Sequence, residues 1–123
     1  MTASRANWNE LNGIQVLGHG KMSDGVRKIF TGRAVMVVIN EIEPLVTPEV
    51  ATHSHPHEQI ICIVSGTGIV KVGDETFEAG PGDMFLCPPD VPHGLIVTGT
   101  EKMLNLDVFS PIREDFLNAV PRP

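Results

Sequence analysis

The sequence predicts an all-β protein, a two-sheet antiparallel Greek-key roll that ends in one short helix. The 123 residues include 12 glycines and 10 prolines, and the longest stretch free of both is the twelve residues Met1–Asn12. Proline removes a backbone donor and glycine weakens helices, so helices longer than about three turns are excluded almost everywhere. What remains is a series of short apolar or alternating runs bounded by turn residues. Such closely spaced strands are typical of antiparallel sandwiches and barrels.

Candidate strands follow one another along the chain, and each is bounded by Gly, Pro or Asp. Their approximate ranges are 14–19, 26–31, 33–42, 50–55, 59–65, 67–72, 75–78, 83–87, 93–98 and 102–109. The segments 65–68 and 73–74 (SGTG and GD) are predicted to be hairpin connections. The C-terminal helix is predicted over Arg113–Val120, because this segment follows Pro111 and stops before Pro121.

Composition and charge restrict the class of protein. A hydrophobic content of 41% is enough for one core, so residues 1–123 are expected to form a single domain. The formal charge of −6 without a basic cluster argues against nucleic acid and anionic membranes as partners. No apolar run approaches ~20 residues, and Met1–Leu11 lacks the hydrophobic region of a signal peptide. A soluble, cytoplasmic protein that acts on a small molecule is expected.

The two cysteines, Cys62 and Cys87, each sit inside an apolar run. In a chain with no export signal this favours packed, reduced thiols over a disulfide, and a catalytic thiol is the less favoured alternative.

The last candidate strand carries polar residues on one face. Its alternating faces hold Leu104, Leu106 and Val108 on one side and Asn105, Asp107 and Phe109 on the other. Periodicity alone favours a half-buried strand with its polar face in water. The functional alternative is a polar face that lines a ligand cavity.

Four of the five histidines fall in two places: His53, His55 and His57 in THSHPHEQ, and His93 in PPDVPHG. Residues two apart on a strand share a face and lie ~6.6 Å apart, so two imidazoles can converge on one ion at ~2.0–2.1 Å. A further ligand can come from a neighbouring strand, and His93 after its proline-rich turn is the obvious source. The alternative is a set of surface histidines near turns, but three within five residues favour a metal site. His19 has no partner in the sequence and is interpreted as structural.

Around these histidines the sequence resembles the cupin superfamily. The first cupin motif, His-x-His followed by Glu and Gly, corresponds to residues 53–66, and the second, Gly and Pro-x-Gly followed by His, corresponds to residues 82–93. The resemblance extends from about Ile39 to Arg113 and implies a double-stranded β-helix, the jelly-roll barrel of that superfamily. It also implies a metal site formed by His53, His55, Gln59 and His93.

Two neighbours compete with these ligands. By strand parity His57 faces with the ligands and Glu58 faces away, although a turn at residues 54–57 would break that parity. In the family pattern both are usually non-ligands, so His57 is kept in reserve. An imidazole-rich site with one oxygen suits one divalent transition metal, which could be Ni, Zn, Fe, Co, Cu or Mn.

The sequence departs from the family pattern at several positions. Thr47 and Asp90 replace glycines in turns, and Val97 replaces the closing asparagine of the second motif. Gln59 replaces the motif glutamate and offers a neutral carbonyl oxygen, which leaves the full charge of a divalent ion uncompensated. Such a centre is a stronger Lewis acid and is less suited to Fe(III) or Mn(III). This argues against redox turnover without excluding it.

A closer resemblance is to the KdgF-type pectin-degradation cupins, and it is carried by His-x-His-x-x-x-Gln together with the run Asp107-Val-Phe109-Ser-Pro-Ile-Arg113. These proteins open the ring of 4,5-unsaturated uronate monosaccharides. The resemblance places Asp107, Phe109 and Arg113 beside the metal. Asp107 could exchange a proton, Arg113 could pair with a carboxylate, and Phe109 could stack on the sugar.

Each of these three residues also has a structural alternative. Asp107 could cap a turn before Pro111, and Phe109 could be part of the core. Arg113 could pair with Glu114 or sit at the first turn of the helix. Further cations, Arg27, Lys28 and Arg33, could reach a cavity, but the sequence does not show which face they occupy.

Three functions stay open at this point. The first is a metal-dependent, non-redox isomerase or lyase acting on a small hydroxylated acid, most specifically an unsaturated uronate. The second is an Fe(II)-dependent dioxygenase, because a three-histidine face with open positions can bind O₂. The third is a small-ligand or sugar-binding module without turnover. As a family-level expectation, the protein is a homodimer.

Overall fold

The computed structural model describes residues 4–18, 22–45 and 47–117. Within these ranges the chain forms short strands and one helical turn. The elements are β1 (Ile14–Val16), β2 (Gly25–Thr31), β3 (Met36–Ile42), β4 (Glu58–Ser65), β5 (Gly68–Val72), β6 (Glu75–Ala79), β7 (Met84–Cys87), β8 (His93–Val97), β9 (Met103–Ser110) and α1 (Glu114–Leu117).

The strands form two sheets. One has six strands in the order β1-β2-β3-β9-β4-β7, and the other has three in the order β6-β5-β8. Every strand pair is antiparallel. The predicted all-β roll with a short C-terminal helix is therefore confirmed.

The apolar core consists of two buried clusters. The larger one lies between the sheets and contains Ile61, Ile63, Val70, Ala79, Cys87, Val97 and Met103. The smaller one contains Met36, Val38 and Phe109, against which Ile112 and Phe116 from the C-terminal end pack. The second cluster places the helical turn against the six-stranded sheet.

The predicted strand over residues 50–55 is wrong. The segment makes one isolated bridge, His53 opposite His93, in which each backbone N–H donates to the other residue's carbonyl at 2.9 Å. Pro48 and Pro56 stand on either side and cannot donate to a ladder, which limits the pairing. The segment is instead a loop that crosses the start of β8.

The predicted hairpin at residues 65–68 is also wrong, whereas the one at 73–74 is correct. β4 and β5 belong to different sheets, so the 65–68 connection carries the chain from one sheet to the other. Gly66 has φ +90 in this connection, and a Cβ there would lie 2.8 Å from the Cα of Met103. Glycine is therefore needed at position 66 because two chain segments cross closely there, and not because the chain forms a two-residue hairpin.

Element boundaries differ by a few residues from those predicted. β3 begins at Met36 and not at residue 33, because Gly32 N–H bonds to the Val35 carbonyl in a turn. The helix is observed over Glu114–Leu117, and the remaining predicted residues 118–120 lie outside the described residues, as does His19. The helix found in the described ranges is too short to cross a bilayer.

Candidate metal site and active-site cavity

Three histidines from two distant parts of the chain meet at one point. The backbone bridge between His53 and His93 aligns the loop with the start of β8. Their ring centroids are 4.5 Å apart, and the His55 ring lies 4.7 Å from that of His93. The ligand-capable atoms of the three side chains all lie within 4.8 Å of one another. The three predicted histidines are thus positioned to bind a metal.

Gln59, on β4, completes the cluster. Its side-chain Oε1 lies 2.9 Å from Nε2 of His55 and 2.9 Å from Nε2 of His93. Gln59 is 5% exposed and His93 is 1% exposed. The amide oxygen therefore faces both imidazoles in a buried position.

In two of the rings, the hydrogen bond made by Nδ1 determines which ring nitrogen carries the hydrogen. Nδ1 of His55 lies 3.0 Å from the His57 carbonyl, and Nδ1 of His93 lies 2.9 Å from the Val91 carbonyl. A carbonyl only accepts, so both Nδ1 atoms carry hydrogen and donate. In the neutral rings the Nε2 lone pairs then point at the Oε1 of Gln59.

The Nε2 atoms of His55 and His93 and the Oε1 of Gln59 are therefore three electron-pair donors that converge, with no hydrogen between them when the rings are neutral. A cation satisfies all of them, and a backbone carbonyl that holds the outer nitrogen is the usual support of a metal-binding histidine. The donor set therefore fits a divalent transition metal. Residues His53, His55, His93 and Gln59 are the ones that would hold it.

The surroundings favour neutral imidazoles. Loss of hydration, helped by the neighbouring His93 and His55 rings, lowers the pKa of His53 to about 4. Burial also lowers the pKa of His93, against the opposing hydrogen bond to the Val91 carbonyl. Neutral rings are the form that ligates metals.

The two competing neighbours lie outside the cluster. A bend at Pro56 and His57 breaks the strand parity that would have aligned His57 with the ligands. His57 instead packs edge-on at the side, with its ring 5.3 Å from that of His55. Glu58 is exposed, as parity predicts for it.

The histidine cluster borders a cavity of about 340 Å³ between the sheets. This is at the lower end of the volumes of small-molecule sites, about 300–1,000 Å³. The polar side chains around it include His53, His93, Gln59, Asn105, Asp107 and Arg113. The polar face of β9 therefore lines a cavity and is not in bulk water.

Asp107 is held in this cavity by two amides. Asn40 Nδ2 donates to its Oδ2 at 2.9 Å, and Asn105 Nδ2 donates to its Oδ1 at 3.0 Å. Burial raises the pKa of Asp107 to about 6, although hydrogen bonds from Gln59, Asn40 and Asn105 and the charge of Arg27 oppose this rise. The carboxyl group does not cap a turn; it faces the same space as the histidines.

Phe109 and Arg113 have structural contacts as well as a place in the cavity wall. Phe109 is 2% exposed, and its ring packs edge-on against those of His55 and Phe116. Arg113 pairs with Asp115, at 2.7 Å from Nη2 and 3.3 Å from Nε, and not with Glu114. Both residues nevertheless line the cavity.

Sequence reasoning missed Asn40 and Phe116 and left the face of Arg27 open, whereas Asn105 was on the strand face that could line a cavity. Arg27 of β2 lies opposite Asn40 of β3, which lies opposite Asn105 of β9. We call these three side chains the polar row. A usable signal was Asn40 itself, a polar residue at the cavity-facing position of an otherwise apolar run. Phe116 was missed because one aromatic residue in a short helix has no distinctive pattern.

One family model and several solved structures match this chain. Residues 43–109 match the Cupin_2 family model, described as a cupin domain. No curated protein sequence matches the chain.

Several solved structures have the same fold. The structure of KdgF from Halomonas sp. is 28% identical, with a TM-score of 0.78, over 94% of this chain and 99% of that one. An RmlC-like cupin from Shewanella frigidimarina is 26% identical, with a TM-score of 0.76, over 94% and 96% of the two chains. A predicted oxalate decarboxylase from Thermotoga maritima, 14% identical with a TM-score of 0.73 over 89% and 100%, shares the fold alone. With the family model matching more than half of the sequence, this chain belongs to the cupin family.

Proposed function

We propose that this cupin is a metal-dependent, non-redox isomerase or lyase of a small hydroxylated acid, and specifically that it opens the ring of a 4,5-unsaturated uronate. The observation that carries the proposal is the shared cavity. A fixed carboxyl group and two guanidinium groups line about 340 Å³ of space beside three imidazoles that are positioned to bind a metal, two of which also line the cavity. The similarity to KdgF from Halomonas sp. supports the choice of reaction.

Ring opening of an unsaturated uronate is an isomerisation without net gain or loss of protons. The anomeric hydroxyl loses a proton, the bond between the anomeric carbon and the ring oxygen breaks, and the resulting enolate takes a proton at its vinylic carbon. One group that accepts and then returns a proton suffices for both transfers. Asp107 is suited to this role because both of its oxygens are fixed by amide donors.

The other residues bind and orient the substrate. The ring of Phe109 provides an apolar surface for the sugar, and Arg113 borders the same space. Asn105 is 1% exposed, and its Oδ1 has no hydrogen-bond partner among the described residues. A substrate hydroxyl would satisfy this buried acceptor, which favours a hydroxylated ligand. When bound, the metal would supply Lewis-acid stabilisation of negative charge on oxygen.

The test is a spectroscopic assay of the metal-loaded protein. We expect the ultraviolet absorbance of a 4,5-unsaturated uronate to disappear while dissolved oxygen stays constant. Oxygen uptake that depends on added Fe(II) would instead support a dioxygenase. Saturable binding without any product would support a binding module, and either result would overturn the proposal.

The role of Asp107 is tested with Asp107→Asn, which keeps the shape and removes the proton-exchanging group. We expect turnover to fall by about 10²- to 10⁴-fold, the usual contribution of a positioned acid–base group. Glu58→Gln is the matched control, because this exposed carboxylate lies beside Gln59 but faces away. Equal turnover in the two variants would contradict the assignment.

A further inference from the structure

Arg27 faces the cavity from β2, which β3 and β9 separate from the ligand-bearing β4 in the six-stranded sheet. It stands in register with Asn40, and Asn40 with Asn105, so all three side chains of the polar row are on the cavity side of the sheet. The next residue, Lys28, faces away, and its Nζ donates to the Trp8 carbonyl at 2.8 Å. Of these two neighbouring cations, Arg27 is the one directed at the cavity.

The guanidinium of Arg27 is positioned but unpaired. Its Cζ lies 3.8 Å from the centroid of the Phe116 ring, a cation–π contact that sets its place in the wall. Within residues 4–18, 22–45 and 47–117 no salt bridge involves Arg27, and its buried Nε has no hydrogen-bond partner. A partly buried guanidinium with open donors is costly unless a ligand supplies the acceptors.

Arg113 differs in this respect. Its Cζ lies 3.9 Å from the same Phe116 ring, but two of its nitrogens are already bonded to Asp115. Burial and the charge of Arg113 both lower the pKa of Arg27, and the charges of Asp107 and Asp115 only partly oppose this. Neither carboxylate forms an ion pair with Arg27 within the described ranges, so its guanidinium keeps open donors toward the cavity.

We propose that Arg27 binds the carboxylate of the substrate through its guanidinium fork and so selects an acid over the corresponding neutral sugar. This deepens the proposed function and rests on it for the identity of the substrate. A carboxylate accepts two parallel N–H bonds from one guanidinium, which supplies both charge and orientation. Glu41 also borders the cavity, but as the neighbour of Asn40 on β3 its side chain alternates to the other face.

The first experiment measures binding without turnover. Metal-loaded protein is titrated calorimetrically with galacturonate and with galactose, which differ in the acid group and lack the reactive enol. The parent should prefer galacturonate, and Arg27→Met should weaken galacturonate binding by about 10- to 100-fold while galactose binding stays the same. Arg33→Met, at an exposed arginine in the β2–β3 turn, is the matched control and should bind like the parent.

A second experiment uses the parent protein and so does not depend on the folding of a variant. Phenylglyoxal modifies accessible arginines, and the modified positions are read by mass spectrometry. Galacturonate should protect Arg27 and leave Arg33 unprotected, whereas galactose should protect neither. Protection of Arg113 without protection of Arg27 would assign the carboxylate to the other guanidinium.

The inference is overturned if the parent does not distinguish acid from neutral sugar, or if Arg27→Met binds galacturonate as the parent does. Failure of the proposed function is a different result. In that case no unsaturated uronate loses its absorbance, while the acid preference and its dependence on Arg27 persist.

Discussion

The side chain of Gln59 determines the charge of the metal centre. Three neutral imidazoles and an amide carry no negative charge, so a bound divalent ion would keep its full charge in a buried place. A glutamate at this position, as in the usual cupin motif, would offset half of it.

The first prediction follows from this difference. Gln59→Glu should bind the metal at least about tenfold more tightly, because an added carboxylate strengthens divalent-cation binding. It should also turn over more slowly, since the centre loses Lewis acidity. Competition with a coloured chelator measures the affinity, and Gln15→Glu at an exposed position of β1 is the matched control. Weaker metal binding in Gln59→Glu would show that Gln59 is not a ligand.

Cys87 leads to a prediction about pH. It is fully buried, and burial raises the pKa of its thiol from 9.0 to about 12. The unfolded thiol loses its proton near pH 9 while the folded thiol keeps it, so a rise in pH through this window stabilises the unfolded state. Between about pH 8 and about pH 10.5 this should cost roughly 2 kcal/mol of unfolding free energy.

Urea unfolding of the parent and Cys87→Ala at both pH values measures this effect. The alanine variant should be less stable at the lower pH, because it leaves a small cavity, but should lose less stability as the pH rises. The chain contains no tyrosine, which removes one other alkaline titration. Equal losses in the two proteins would show that Cys87 does not titrate in this way.

Individual residues were predictable where their chemistry is rare. Three histidines within five residues indicated a ligand set, and the structure positions His53, His55 and His93 to bind a metal. Arg27 and Asn40 were not assigned, because the face that a side chain occupies depends on the strand register. The partner of Arg113 was likewise not predictable, because Glu114 and Asp115 are both within its reach in the sequence.

At the level of elements, the crossing of the 50–55 loop over β8 brings His53 and His93 together. Gly94 makes this crossing possible, since a Cβ there would overlap the Ala51 carbonyl. The loop can therefore lie this close to β8, and so align His53 with His93, only because residue 94 has no side chain.

Gly94→Ala should separate the loop from β8 and move His53 away from His93. We expect metal affinity to fall by about 10- to 100-fold, as when a supporting contact of a metal ligand is removed. Far-ultraviolet circular dichroism should stay that of a β protein. Gly80→Ala is the control, because a Cβ at Gly80 meets nothing within 4 Å. Unchanged metal content in Gly94→Ala would show that the loop can move without loss of the site.

The positions of the strands were more predictable from the sequence than the pairing between strands. Apolar runs bounded by turn residues located the strands of both sheets. Such a run becomes a strand because its apolar side chains are buried, whichever strand it pairs with. The 50–55 segment was assigned wrongly because its alternation resembles a strand, although its flanking prolines limit pairing. The 65–68 connection was assigned wrongly because the choice of sheet is made by packing and not by turn residues.

In the whole molecule, the metal site links the two sheets. Gln59 belongs to the six-stranded sheet and His93 to the three-stranded sheet, and the 50–55 loop carries the other two candidate ligands, His53 and His55. A bound ion should therefore stabilise the folded state against separation of the sheets.

Chelation should lower the melting temperature accordingly. At a free metal concentration 100 times the dissociation constant, the stabilisation is about 2.7 kcal/mol, which corresponds to roughly 10 °C for a domain of this size. His93→Ala and the more exposed His53→Ala should melt at the same temperature with and without EDTA. If EDTA left the melting temperature of the metal-loaded parent unchanged, the metal site would be contradicted.

The homodimer and the cytoplasmic location stay predictions.

The polar row has a consequence for how such a protein can diversify. Its members lie on β2, β3 and β9, whereas the ion would be held from β4, β8 and the loop before β4. Exchange of one row member can thus retune which compound is accepted while the inorganic centre stays intact. Related chains can acquire new substrates by changing Arg27, while Asn40 and Asn105 keep Asp107 fixed and the inherited reaction core is retained.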